Sequence, residues 1–285
     1  MVKKHMEKIP KRSADSNKGD YGHVLVVAGS RGMTGAAYFT GQAALLSGSG
    51  LVTTAIPESQ YEIMAVKFIE VMTLPVADTK DGAMSAKAED KILEFSEKSD
   101  VVAIGPGMSR NEETAKLIRS LLKNIKKPVV LDADGINALE HHQEALKNRK
   151  AMTILTPHPG EMARLIKKDA SYVQKARENI AKSFALQYNC VLILKGHRTV
   201  VSNSQGDLYI NETGNSGMST AGVGDVLTGV VASLVGQGID PYSAACAGVY
   251  LHGRAGDIAA AERGQFGMIA TDVLWNLPRV FRENI

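Results

Sequence analysis

An aspartate stands where a run of small residues meets an apolar-periodic segment. Asn215-Ser216-Gly217-Met218-Ser219-Thr220-Ala221-Gly222-Val223-Gly224-Asp225 leads into Val226, Leu227, Val230, Val231, Leu234 and Val235, and that last spacing is one face of a helix. Gly222 and Gly224 let the backbone approach a ligand without Cβ interference. The first N–H groups of a helix lack partners and its dipole is positive there, so the junction favours an anion. Asp225 can cap the helix, or it can face the anion and take a proton from an attacking hydroxyl. The glycines before it favour the second role.

Five further polar or Gly-rich clusters each follow a short aliphatic run. They are Gly29-Ser30-Arg31-Gly32-Met33-Thr34-Gly35, Gly105-Pro106-Gly107, Asp132-Ala133-Asp134-Gly135-Ile136-Asn137, Thr156-Pro157-His158-Pro159-Gly160-Glu161 and Lys195-Gly196-His197-Arg198-Thr199. Each has a plainer reading. Gly-rich turns after strands are ordinary loop chemistry, and Asp132 and Asp134 serve as turn or cap residues in most contexts. His158 between prolines can be a rigid loop residue, Glu161 a first-turn carboxylate and Lys195 a solvated charge. Their joint position decides the matter, because ligands of open parallel sheets bind outside the carboxyl ends of the strands.

The elements that must hold these clusters are readable. Residues 23–28, 51–56, 100–104, 128–131, 152–155 and 190–194 are strand-like, and residues 35–47 have helical spacing. Near-continuous aliphatic strands alternating with helices predict a mostly parallel sheet with helices on both faces. Three short strands between 191 and 210 predict an antiparallel edge. From Asp225 to Ile285 only helices are expected, one of them opened by Asp240-Pro241. Residues 1–20 are expected to be a flexible basic tail and 21–285 a single α/β catalytic domain.

The chain has 285 residues, 44% hydrophobic but only 5% aromatic, with net charge +3. The charges are mixed, which argues against nucleic acid, and no apolar run reaches the length of a membrane span. Cys190 and Cys246 read as buried thiols in a reducing cytoplasm. The P-loop, GxGxxG, HExxH and GxSxG patterns are absent. An anion site without a P-loop, with a carboxylate beside it, points to another phosphoryl-transfer architecture.

The Gly-x-Gly-Asp helix start resembles the anion hole and catalytic Asp of the ribokinase-like superfamily. Within it the chain is similar to the ADP/ATP-dependent NAD(P)H-hydrate dehydratase family, from Gly19 to about Pro278. The carrying segments are HVLVVAGSRGMTGAAYFTGQAALLSGSGLVT, AIGPGM, VVLDADGINAL, TILTPHPGEMARL, LKGHRTVV, NETGNSGMSTAGVGDVLTGVVASLVGQG, YLHGRAGDIAA and GMIATDV. The resemblance implies nucleotide-dependent dehydration of the S epimer of hydrated NADH or NADPH, through a phosphorylated 6-hydroxyl, with ADP giving AMP in bacterial members. It makes Asp225 the base and the N–H groups of Gly222, Val223 and Gly224 the phosphoryl cradle. It puts nucleotide at Lys195, Gly196, His197, Arg198 and Thr199 and at Asn215, Ser216, Gly217, Met218, Ser219, Thr220 and Gly224. It puts the hydrated cofactor at Ala43, Gly107, His158 and Asp225. Asp132, Asn137 and Glu161 would shape the Mg²⁺ and phosphate region, with Glu161 as the metal ligand. A homo-tetramer and a separate epimerase as functional partner are also implied, since many bacterial members carry a fused epimerase domain ahead of this one. Val223 departs from the Thr or Ser common there. A vitamin-precursor kinase of the same superfamily, acting on hydroxyethylthiazole or hydroxymethylpyrimidine, is the alternative.

Overall fold

The computed structural model describes residues 2–285. Its nine strands are β1 (His23–Val27), β2 (Leu51–Pro57), β3 (Met72–Val76), β4 (Val101–Ile104), β5 (Val129–Leu131), β6 (Thr153–Leu155), β7 (Val191–Leu194), β8 (Val200–Ser202) and β9 (Leu208–Ile210). They form one sheet in the order β3-β2-β1-β4-β5-β6-β7-β8-β9. The strands from β3 to β7 are parallel, and β8 and β9 close the edge antiparallel, as the spacing predicted. Strand β3 was not anticipated. It is an edge strand that leaves Met72 exposed and carries Pro75, so it lacks the continuous aliphatic run of a central strand.

Among the described residues twelve α-helices accompany the sheet: α1 (Lys3–Met6), α2 (Thr34–Leu46), α3 (Tyr61–Lys67), α4 (Glu89–Ser96), α5 (Glu112–Asn124), α6 (Asp134–Asn137), α7 (Pro159–Ile166), α8 (Ala170–Lys175), α9 (Arg177–Tyr188), α10 (Val223–Gly236), α11 (Pro241–Arg263) and α12 (Ala270–Asn284). Side chains alternate across each strand, so Val24 and Val26 join one core while Leu25 and Val27 join the other. The first core is shared with α2, α10, α11 and α12, the second with α4, α5, α7 and α9. Asp240 caps α11 by accepting from the Ser243 N–H at 3.0 Å, with Pro241 in the first turn as expected. Among the described residues no helix is long and apolar enough to cross a membrane.

Two features place the site. Strand order reverses between β1 and β4, which opens a crevice at their carboxyl ends. The loops after these strands are tied there: Gly29 N donates to Pro106 O at 2.8 Å and Ser30 Oγ to Gly107 O at 2.8 Å. Helix α10 then crosses α2 almost backbone to backbone. A Cβ on Gly229 would stand 2.2 Å from Thr40 O and 2.8 Å from Ala43 Cβ. Gly229→Ala is expected to cost about 1–3 kcal/mol in denaturant unfolding, because neither backbone can yield without moving the start of α10. An unchanged midpoint would show that the crossing is loose.

The tail expected over residues 1–20 is docked in its described part. Met6 and Ile9 are buried, His5 Nδ1 lies 2.9 Å from Ser243 Oγ, and Lys8 Nζ donates to Asp240 Oδ2 at 2.6 Å. Met1 lies outside the described residues. The basic residues hid an apolar pair that joins the first core, while His5 and Lys8 meet the start of α11.

Candidate active site

Helix α10 begins at Gly222, whose φ of +89° is open to glycine and strained for other residues. A Cβ there would also meet the Phe39 ring at 2.8 Å and Ala270 at 3.0 Å. The first backbone bond of the helix runs from Val226 N to Gly222 O at 3.1 Å. The N–H groups of Val223, Gly224 and Asp225 therefore have no partner within the helix. Asp225 is the third residue of the helix and makes no cap, which disposes of the plainer reading of this residue. Val223 is buried among apolar neighbours, so the departure from Thr or Ser leaves its backbone N–H available.

Opposite this end stands an ion pair. Lys195 Nζ donates to Asp132 Oδ1 at 2.8 Å, and Thr228 Oγ1 donates to Asp132 Oδ2 at 2.7 Å. Asp132 is only 1% exposed. Burial alone would raise its pKa, but the Lys195 charge and the hydrogen bonds outweigh it and hold the carboxyl below its usual range. Burial likewise opposes the charge on Lys195, and Asp132 and Glu161 more than restore it. A Cβ on Gly224 would lie 3.3 Å from Lys195 Nζ, so the ammonium sits over the first turn of α10. Asp225 responds differently. Burial first, then the nearby Asp132, push its pKa up to about 7 against the pull of Lys195. A helix N-terminus favours an ionised carboxylate, but desolvation and a crowd of acids win here.

His158 caps α7. Its Nδ1 accepts from Gly160 N at 3.0 Å and Glu161 N at 3.3 Å, while Glu161 Oε2 accepts from His158 N at 2.8 Å. With Nδ1 accepting, the hydrogen-bond network assigns the ring proton to Nε2, 3.4 Å from Glu161 Oε1. Burial, Lys195 and Arg164 all lower the His158 pKa, so it faces the cleft as a neutral donor. Burial also raises the pKa of Glu161.

A cleft of about 770 Å³ runs along these groups. Of the expected nucleotide residues, Lys195, Gly196, His197, Arg198, Thr199, Asn215, Ser216, Met218, Ser219, Thr220 and Gly224 line it, as do Gly222, Val223, Asp225 and His158. Gly217 is not among them. A Cβ on it would meet Met268 Sδ at 2.4 Å, so Gly217 is there to let the loop close on residues 265–268. Gly107 lies at the β1/β4 crevice with φ +62°, where a Cβ would meet Ala36 at 2.8 Å. The expectation for Ala43 needs correcting. It is fully buried where α2 crosses α10 and offers no side-chain surface to a ligand. Ala36 and Phe39, near Gly107 and Gly222, are the α2 residues that approach the site.

Other residues enter the site without having been singled out. His252 is buried, donates from Nε2 to Val223 O at 2.9 Å and has its pKa pushed down by burial to about 4, so it braces the start of α10 as a neutral ring. Asp134 Oδ2 accepts from Ser109 N at 2.9 Å, and Arg164 Nη2 donates to Asn137 Oδ1 at 2.8 Å. His252 lay within the quoted YLHGRAGD segment, which was the available signal. As for a metal, among the described residues no three His, Cys, Asp or Glu side chains gather closely enough to hold one. Both oxygens of Asp132 and one of Glu161 are already engaged.

A protein-family model described as NAD(P)H-hydrate dehydratase matches residues 24–279. The bifunctional NAD(P)H-hydrate repair enzyme Nnr of Moorella thermoacetica is 49% identical over 275 residues, covering 96% of this chain and 52% of that protein. The ADP-dependent (S)-NAD(P)H-hydrate dehydratase of Neisseria meningitidis is 36% identical, covering 92% of this chain and 86% of that one. The crystal structure of the ADP/ATP-dependent NAD(P)H-hydrate dehydratase of Bacillus subtilis, co-crystallised with ATP/Mg²⁺, superimposes with a TM-score of 0.84 at 29% identity, covering 100% of this chain and 98% of that one. The chain spans about half the length of the bifunctional relatives it matches.

Proposed function

The chain belongs to the NAD(P)H-hydrate dehydratase family, with the ribokinase-like fold its sequence implied, and from that premise we propose that it returns the S epimer of hydrated NADH or NADPH to the reduced cofactor at the expense of a nucleotide. The observation that carries this reading is an uncapped helix start with Asp225 in its first turn and Lys195 above it, at the end of a nucleotide-sized cleft. The 6-hydroxyl attacks the terminal phosphorus, the bond to the leaving nucleotide breaks, and Asp225 takes the hydroxyl proton. The N–H groups of Gly222, Val223 and Gly224 hold the transferring oxygens, which is the largest contribution a protein makes to this chemistry. The C6–O bond of the adduct then breaks, phosphate departs, and loss of the C5 proton restores the ring double bond. ADP giving AMP is the preferred donor reaction, and His158 Nε2 supplies a hydrogen bond on the cofactor side.

Mg²⁺ would enter on the nucleotide phosphates and neutralise charge there, with Glu161 as the candidate protein ligand, since Lys195 and Thr228 occupy both oxygens of Asp132. An epimerase acting beforehand would supply the S form from the R form. Assembly as a homo-tetramer belongs to the same proposal, and light scattering on the purified chain tests it.

The direct experiment mixes the protein with S-NADHX, Mg²⁺ and ADP or ATP and follows the near-ultraviolet absorbance of reduced nicotinamide. A nucleotide-dependent rise with free phosphate is expected. A stable phosphorylated product without that rise would overturn the dehydratase reading in favour of a kinase.

The raised Asp225 pKa gives this reading a pH signature. The base must be ionised, so kcat/KM should climb about tenfold per pH unit in acid and level off above about 7, and Asp225→Glu should move that limb. A flat profile between about pH 5 and 8 would remove Asp225 from the role.

A further inference from the structure

Lys195 and Gly196 reach the cleft because the chain turns sharply after β7, and a residue of another helix grips that turn from behind. Arg177 is the first residue of α9. Its Nη2 donates to Leu194 O at 2.9 Å and its Nη1 donates to His197 O. These two carbonyls bracket Lys195 and Gly196. Gly196 has φ +139°, and a Cβ there would lie 3.2 Å from Arg177 Nη2, so the glycine backbone rests on the guanidinium. Two other bonds finish the turn: Lys195 N donates to Pro157 O at 2.9 Å and Thr199 Oγ1 to Gly196 O at 3.0 Å. Arg177 itself is not among the residues lining the cleft.

We propose that Arg177 is the positioning residue of the nucleotide-binding turn: its planar fork gathers the carbonyls of Leu194 and His197 behind the loop, so that the Lys195 ammonium and the Gly196 backbone face the phosphates. Two carbonyl oxygens brought together repel each other and would face the phosphates badly if either turned outward. A guanidinium satisfies both at once in a fixed geometry, which a lysine, a single mobile point of charge, does not. Its charge, behind the turn, also adds to the positive field at the phosphate end. The spacing of the loop residues gives no hint of this, because the partners of Arg177 are backbone atoms.

The inference deepens the nucleotide assignment above and rests on it. The test uses the full chain carrying Arg177→Lys or Arg177→Ala. Calorimetry measures ADP affinity without the second substrate, and steady-state kinetics give the two KM values separately. Both variants should weaken ADP about tenfold or more, in Kd and in KM, while the KM for hydrated NADH stays within about twofold. Millimolar methylguanidinium should restore ADP binding to Arg177→Ala, and methylammonium should not. Unchanged ADP affinity in Arg177→Ala would overturn the proposal. So would equal losses for both substrates without rescue, since that is the behaviour of a damaged fold. If the unaltered protein restores no NADH with either nucleotide, the dehydratase reading falls, yet the ADP-binding comparison still decides the role of Arg177.

Discussion

Asp225→Asn should fold, bind nucleotide and lose turnover by about 10²–10⁴-fold. The side chain makes no cap and sits in the first turn of α10, so an amide of the same shape removes no structural bond. The unpartnered N–H groups that hold phosphate remain, which is why binding survives. What disappears is the carboxylate in the first turn of the helix that would accept the hydroxyl proton. The variant should also be more stable than the parent above neutral pH. The folded pKa of Asp225 is raised to about 7, so the native state holds this proton more tightly than the unfolded chain does. Stability from this group is therefore present in acid and lost as pH rises from the unfolded value toward 7. An asparagine escapes that loss. Stopped assays for nucleotide turnover and urea melts at pH about 5 and 8 read both effects. Near-normal turnover would refute the base assignment, and a parent that outlasts the variant at pH 8 would refute the electrostatic account.

The cost of Asp225 to stability was not legible in the sequence, but its position was. Asp225 and its loop were legible because glycines followed by helical apolar spacing mark a helix start open to an anion. The central strands were equally plain, because a strand buried on both faces needs an unbroken aliphatic run. Strand β3 escaped because an edge strand is spared that need and tolerates Pro75. Ala43 was misplaced for a different reason. Helix α2 is small or apolar on nearly every side, so no periodicity says which face meets the cleft, and only the Gly229–Thr40 contact settles it. Gly217 shows the same limit inside a loop: a glycine that lines a site and one that lets the loop pack look alike. Arg177 was invisible as a site residue, and His252 was signalled only by the segment that holds it, because each acts through a carbonyl far away in the chain. Pairings of that kind are written in the fold and not in local pattern.

The Lys195–Asp132 pair yields the other large effect. Lys195→Met should abolish turnover and also destabilise the protein by about 3–5 kcal/mol, because Asp132 is left buried and unpaired. The two losses are separable. In the parent the Asp132 pKa is depressed, so its contribution to stability is present above the unfolded value and lost only as pH falls through the folded one. Without Lys195 burial prevails and the pKa moves up instead. The sign of the dependence then reverses, and Lys195→Met should gain stability as pH falls from about 8 to 5, where the parent gains none from this group. Asp132→Asn combined with Lys195→Met removes both charges and keeps an oxygen for the Thr228 hydroxyl. That double variant should recover most of the lost stability and none of the activity, because no ammonium then stands over the start of α10. Denaturant unfolding of the parent, both single variants and the double variant measures the coupling, and the absorbance assay measures turnover. Equal stability of Lys195→Met and the double variant at pH 8 would mean that Asp132 is solvated after the change. Recovered turnover in the double variant would mean that Lys195 serves the fold through Asp132 and never meets the phosphates.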